Sequence, residues 1–166
     1  MKHLPTAAEI AALPDPMTAT VTSSFIDSNG HMNVLHYLEF ASLGADRAVR
    51  RIGIDDEYRS DRRMGVFTAE HHLRYYGELL EGDEFAIHGR FLKRSAKVVH
   101  LMTFVVDCAR QQLACTLEIV LVHVNLDSRR PVEMPENIAA AIDRSIATSS
   151  RLAWSAPVCG AMGVRD

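Results

Sequence analysis

Hydrophobic and polar positions change period twice along the chain. Residues 18–25 (TATVTSSF) are rich in Thr and Val with partial alternation, which predicts a strand. Residues 26–33 (IDSNGHMN) then place Asp, Ser, Asn and Gly in succession, a composition that favours a turn. From residue 34 to 51 (VLHYLEFASLGADRAVRR) apolar or small side chains recur at helical spacing, with Asn33 suited to cap the helix and Gly53 to end it. These positions form more than one stripe, so most of the helix is expected to be buried. Arg47, Arg50 and Arg51 fall in its last turns, where cations suit the negative end of the dipole. The polar run at 55–65 (DDEYRSDRRMG) reads as a loop.

The second half has a different rhythm. Residues 66–76, 84–93, 98–107 and 113–125 read as strands joined by short, turn-like links. Short links between successive strands make them antiparallel neighbours. Residues 136–148 (ENIAAAIDRSIAT) predict a short helix, and the tail with Pro157 and Gly160 is expected to be loosely held. Residues 1–16, with Pro5, Pro14 and Pro16 around one helical stretch, read as a leader lying on the domain. A hydrophobic helix followed by a sheet is buried when the sheet wraps it. The expected architecture is therefore α+β: a long central helix against one strongly curved antiparallel sheet. The division is 1–16 leader, 17–135 core domain, 136–166 C-terminal helix and tail.

Composition narrows the function. With 166 residues, 48% hydrophobic and 23% charged, the chain is long enough for one domain with a sizeable core. Eighteen basic against 21 acidic residues leave a net charge of −3, so no nucleic-acid partner is expected. Cys108, Cys115 and Cys159 are odd in number and widely spaced, which suits free thiols in a reducing, cytoplasmic setting. No signal peptide or membrane span is read from the sequence, and no membrane partner is expected. A GxSxG elbow, a phosphate-binding P-loop, a GxGxxG fingerprint and HExxH are all missing. No His pair has ligand spacing joined to a third ligand, so neither a metal nor another cofactor is expected.

The chemistry concentrates at Asp27-Ser-Asn-Gly30-His31-Met-Asn33-Val-Leu-His-Tyr37. There an acid, a glycine and a histidine stand where a strand turns into the start of a helix. Unpaired N–H groups at a helix start polarise a carbonyl docked on them and stabilise an oxyanion. Gly30 allows close approach to the backbone. Asp27 is then placed to act as base or nucleophile. The same four residues also make a plain turn, in which Asp27 only bonds local N–H groups.

The longer string, D-x-x-G-H-x-N-x-x-x-Y before a long apolar helix, resembles the acyl-CoA thioesterases of the hotdog-fold superfamily, in the 4-hydroxybenzoyl-CoA thioesterase-like branch. The resemblance covers roughly residues 18–135. It implies a helix wrapped by a five-stranded antiparallel sheet, and a homodimer or homotetramer with sites at the protomer interface. It implies hydrolysis of an acyl-CoA substrate, with Asp27 as the catalytic carboxylate and the backbone around Gly30 and His31 as oxyanion donor. His31, Asn33 and Tyr37 match the remaining motif positions, while Val34 stands where many relatives carry a second asparagine. Residues 68–75 (TAEHHLRY) resemble the strand signature of a subset associated with betainyl- and carnitinyl-type acyl-CoA. For a trimethylammonium acyl group, Glu70 with Tyr75 or Tyr76 would supply charge and aromatic faces.

Glu70 and His72 share one strand face by alternation, with His71 on the other; that shared face is expected to complete the site across the dimer. Arg129, Arg130 and Lys97 suit the phosphates of CoA. His36 reads as a packed helical side chain. Two rivals keep the fold: a hotdog enoyl-CoA hydratase using an Asp/His pair, and a non-catalytic acyl-CoA-binding protein.

Overall fold

A computed structural model describes residues 4–164. In chain order it holds α1 (Ala7–Ala11), β1 (Met17–Thr20), a 3-10 turn (Ser23–Phe25), α2 (Val34–Arg51), α3 (Asp56–Arg62), β2 (Met64–Tyr75), β3 (Glu84–Arg94), β4 (Val98–Asp107), β5 (Gln112–Asn125) and α4 (Glu136–Ser149). The five strands make one antiparallel sheet in the order β1-β3-β4-β5-β2. The four long strands lie within two residues of the limits that alternation predicts. The expected strand at 18–25 is shorter. It stops at Thr20: Val21 exchanges main-chain bonds with the turn at Gly82 and Asp83, and Ser23–Phe25 then winds into a 3-10 turn.

Helix α2 begins where Asn33 caps it, its side chain accepting the Leu35 N–H at 3.0 Å. Tyr37, Ala41, Gly44, Ala45, Ala48 and Val49 recur every three or four residues and pack on the inner face of the sheet. Their small size sets the distance of approach. A Cβ on Gly44 would collide with Ile87, and one on Gly89 would stand 3.0 Å from Ala48. The helix is not mostly buried as expected. Val34, Leu35 and Leu43 are 52%, 69% and 47% exposed, because the sheet covers one side of α2 only.

Residues 55–65 are not all loop. Asp55 caps α3 by accepting the Tyr58 N–H at 2.8 Å, and Tyr58 is buried as the anchor. Its hydroxyl donates to His123 Nε2 at 2.8 Å, while His123 Nδ1–H donates to the Val132 carbonyl at 2.9 Å. Burial pushes the His123 pKa down, so the ring sits there neutral.

The outer face of the sheet is covered as well. Met102, Phe104 and Val106 of β4 pack with Ala7, Ile10 and Leu13 of the leader and with Trp154 of the tail. The tail is therefore held rather than loose: Trp154 and Pro157 are buried, and the Cys159 N–H bonds Glu118 at 2.8 Å. Beyond the stretch paired with β1, the exposed margin of β3 is occupied by α4, where Ser149 donates to the Phe91 carbonyl at 3.2 Å. Strand β2 is the opposite margin. It carries a register shift between Thr68 and Glu70, with Ala69 as the extra residue. Such a bulge transfers every later side chain to the other face.

Candidate active site

The loop from Ile26 to Met32 is closed by a bridge between those two residues. Inside it the Asp27 N–H donates to the His31 carbonyl, and the Gly30 N–H donates to the Asp27 carbonyl, each at 3.0 Å. Gly30 has φ +82°, a conformation that costs glycine little, and a Cβ there would meet nothing within 4 Å. The backbone at Gly30 therefore borders open space. Two main-chain bonds moor the loop: Met32 N–H to Leu79 and Asn33 N–H to Phe25, both at 2.8 Å.

Asp27 is half-buried at this corner. Its Oδ1 accepts the Asn29 N–H at 2.8 Å, so the local turn bond does form. Among the described residues Oδ2 accepts no hydrogen bond. The N–H groups of His31 and Val34 likewise have no acceptor among the described residues. A carboxylate oxygen and two donors thus stand unengaged around the start of an 18-residue helix. That is the disposition an acyl-transfer site requires: a base or nucleophile, and donors for the oxygen that becomes negative.

The neighbouring motif residues hold this corner in place. His31 Nδ1–H donates to the Met32 carbonyl at 3.1 Å. Asn33 spends its side chain on the cap. Tyr37 is buried, and its hydroxyl accepts the Leu79 N–H at 2.8 Å, pinning the β2–β3 link to α2. Burial, with a smaller contribution from the Glu78 carboxylate, pushes its phenol up to about 12. Tyr75 packs edge-on against Tyr37 with ring centroids 5.4 Å apart and remains 45% exposed. Phe25 stacks on His36 at 4.3 Å beside the same helix start, and His36 pairs with Glu39.

The other expected residues are not gathered here within one protomer. Glu70 and His72 do share a face, yet the bulge at Ala69 directs it outward: His72 pairs with Glu118, whose neighbours Leu117 and Ile119 point inward to the core. Arg129 lies over the Phe67 ring at 4.5 Å, eight residues before Tyr75 on β2. At about 3.3 Å per residue that is roughly 26 Å away. Arg130 and Lys97 are exposed.

Two residues outside the expected set bear on this region, His71 from the inner face and Glu78 from the β2–β3 link. His71 lines a cavity of about 160 Å³ with Ser42, Asp46, Arg59, Thr68 and Ile119. Alternation had already separated His71 from Glu70, but nothing local told which side faces α2. Glu78 follows Gly77 and acts electrostatically on Tyr37. A larger cavity, about 300 Å³, lies at the far end of α2 beside Ile52, Arg90 and α4.

Residues 21–142 match the family model of the thioesterase-like superfamily. The chain belongs to this superfamily. A protein of Ruegeria pomeroyi named L-carnitine dehydrogenase/betainyl-CoA thioesterase is 30% identical over 154 residues, which is 86% of this chain and 31% of that protein. This chain therefore spans under a third of that relative's length. A betainyl-CoA thioesterase of Pseudomonas aeruginosa is 27% identical over 74% of this chain and 77% of its own length. Among solved structures, a hypothetical protein of Staphylococcus aureus in complex with CoA superposes with a TM-score of 0.80 at 26% identity, covering 91% of this chain and 94% of that one. A 1,4-dihydroxy-2-naphthoyl-CoA thioesterase of Synechocystis shares the fold, with a TM-score of 0.68 at 12% identity over 77% of this chain and 94% of that one. The fold of this superfamily member is the hotdog fold.

Proposed function

We propose that this protein hydrolyses an acyl-CoA thioester to a free acid and CoA. The observation that carries this reading is the free Asp27 oxygen in the same short segment, 27–34, as the unengaged N–H groups of His31 and Val34. The thioester carbonyl docks on those donors next to Gly30. Asp27 then either activates a water or attacks the carbonyl to give a mixed anhydride that water opens. Both routes move negative charge onto an oxygen held by fixed donors, the contribution that dominates in such sites.

The acyl group is proposed to be small, with a quaternary ammonium such as that of betaine. The names of the relatives support this, and so does the open Tyr75 face above Tyr37, with Glu78 supplying negative charge. A homodimer is proposed from two features. Val34, Leu35 and Leu43 are exposed apolar side chains on α2, and β2 is an unpaired margin of the sheet. The described cysteines are all free, which fits a cytoplasmic location. Among the described residues no helix is long and apolar enough to cross a membrane.

The test is thiol release from aliphatic, aromatic and quaternary-ammonium acyl-CoAs. Turnover of the cationic ester with a KM raised by Glu78→Gln supports the finer reading, and indifference to acyl charge removes it. Loss of enoyl absorbance from crotonyl-CoA without thiol release would assign hydration instead. Tight binding without turnover across the panel would assign a binding protein.

A further inference from the structure

We propose that the outer face of the sheet holds a zinc site formed by His72 of β2, Glu118 of β5 and Cys159 of the C-terminal tail. One ligating atom from each of the three lies within 4.8 Å of the others. Tetrahedral zinc, with bonds of about 2.0–2.3 Å, sets neighbouring ligand atoms roughly 3.3–3.8 Å apart. Small side-chain rotations close that difference. The donor set is one imidazole nitrogen, one carboxylate oxygen and one thiolate sulfur. It suits a borderline-soft divalent ion with a fourth position left for water.

The charge of Glu118 points the same way. The residue has no exposed surface. Its Oε1 accepts from His100 Nε2 and its Oε2 from the Cys159 N–H, both at 2.8 Å. No arginine or lysine bonds it among the described residues. A buried carboxylate needs compensation, which the bond from His100 begins and a bound divalent ion would complete. Each carboxylate oxygen keeps a further lone pair for the metal.

The surroundings hold the three groups in place. His100 donates to the ligating carboxylate and so fixes its orientation. The Ala161 N–H lies 3.4 Å from Cys159 Sγ across Gly160, a contact that orients the sulfur. On binding, Cys159 loses its proton to solvent and its sulfur lone pair becomes the zinc bond. The site lies on the sheet face opposite α2 and Asp27, so the ion would fasten the tail to the sheet and take no part in the hydrolysis.

The test uses the full chain, freed of metal by chelation and titrated with Co²⁺, then Zn²⁺. The expected result is one Co²⁺ per chain with a thiolate-to-cobalt charge-transfer band that Zn²⁺ abolishes. Cys159→Ser keeps the main-chain bond to Glu118, removes the band, and weakens zinc binding roughly 100-fold or more. His72→Gln, on a half-buried side chain of the strand, weakens it comparably, whereas Cys108→Ser leaves the band intact. Zinc should also slow tryptic cleavage after Arg151 in the wild type but not in Cys159→Ser. A wild type without the band, or a band that survives in Cys159→Ser, overturns the proposal. Thiol-release activity is read separately, so failure of this site and failure of the hydrolase reading are distinguishable.

Discussion

Asp27 carries two kinds of bond-forming capacity, and a single substitution separates them. In Asp27→Asn the side-chain oxygen still accepts the Asn29 N–H, so the turn should survive. The charge and basicity of the second oxygen are lost. The expected outcome is a kcat lowered at least about 100-fold with an unchanged denaturation midpoint, checked by thiol-release kinetics beside urea unfolding. Tyr37 is the reverse case, a residue whose value is positional. Removing its hydroxyl leaves the buried Leu79 N–H without an acceptor, a loss of about 1–3 kcal/mol in stability. Its phenol also gives stability a pH dependence. The folded pKa of about 12 exceeds the ordinary value near 10, so the unfolded chain ionises first. This contribution is full below pH 10 and fades between there and about 12. Tyr37→Phe should flatten that alkaline decline in thermal unfolding scans. The turn that holds Asp27 was legible because its bonds run between neighbours in sequence. The outward direction of Glu70 was not, since alternation specifies that two residues share a face but not which face, and the extra Ala69 decides it.

At the scale of elements, α2 shows how far periodicity reaches. Its limits and its cap are readable from Asn33 and the apolar spacing. What spacing does not report is which apolar positions this chain's own sheet will cover, hence the exposed Leu35 and Leu43. Helix α3 was hidden for the opposite reason: seven residues with one apolar anchor, Tyr58, have no stripe to detect. The contact between α2 and β3 gives a prediction in which two magnitudes compete. Gly44→Ala gains about 1 kcal/mol of helix propensity. It also drives a methyl group into Ile87 at a close-packed contact, an overpacking that costs about 1–3 kcal/mol. The net expectation is destabilisation, seen as a lower urea midpoint with an unchanged m-value; a raised midpoint would show that the sheet yields.

For the whole molecule, two features are left open among the described residues: the exposed apolar side of α2 and the margin of β2. If the proposed dimer forms through them, Leu35→Asp with Leu43→Asp should convert it to monomers in light scattering, with the fold retained by circular dichroism. On the opposite side, Trp154 meets Phe104 edge-on at 5.4 Å and lies 4.3 Å from the Arg90 guanidinium. Trp154→Ala should cost about 3 kcal/mol, measured by chemical denaturation. Because the leader and the tail press on the same three side chains of β4, neither segment is a free appendage. A protease that cuts after Arg151 would remove Trp154, bare Met102 and Phe104, and weaken the grip of Ile10 beside them. The product would be a sticky particle prone to clumping, not a slightly trimmed enzyme.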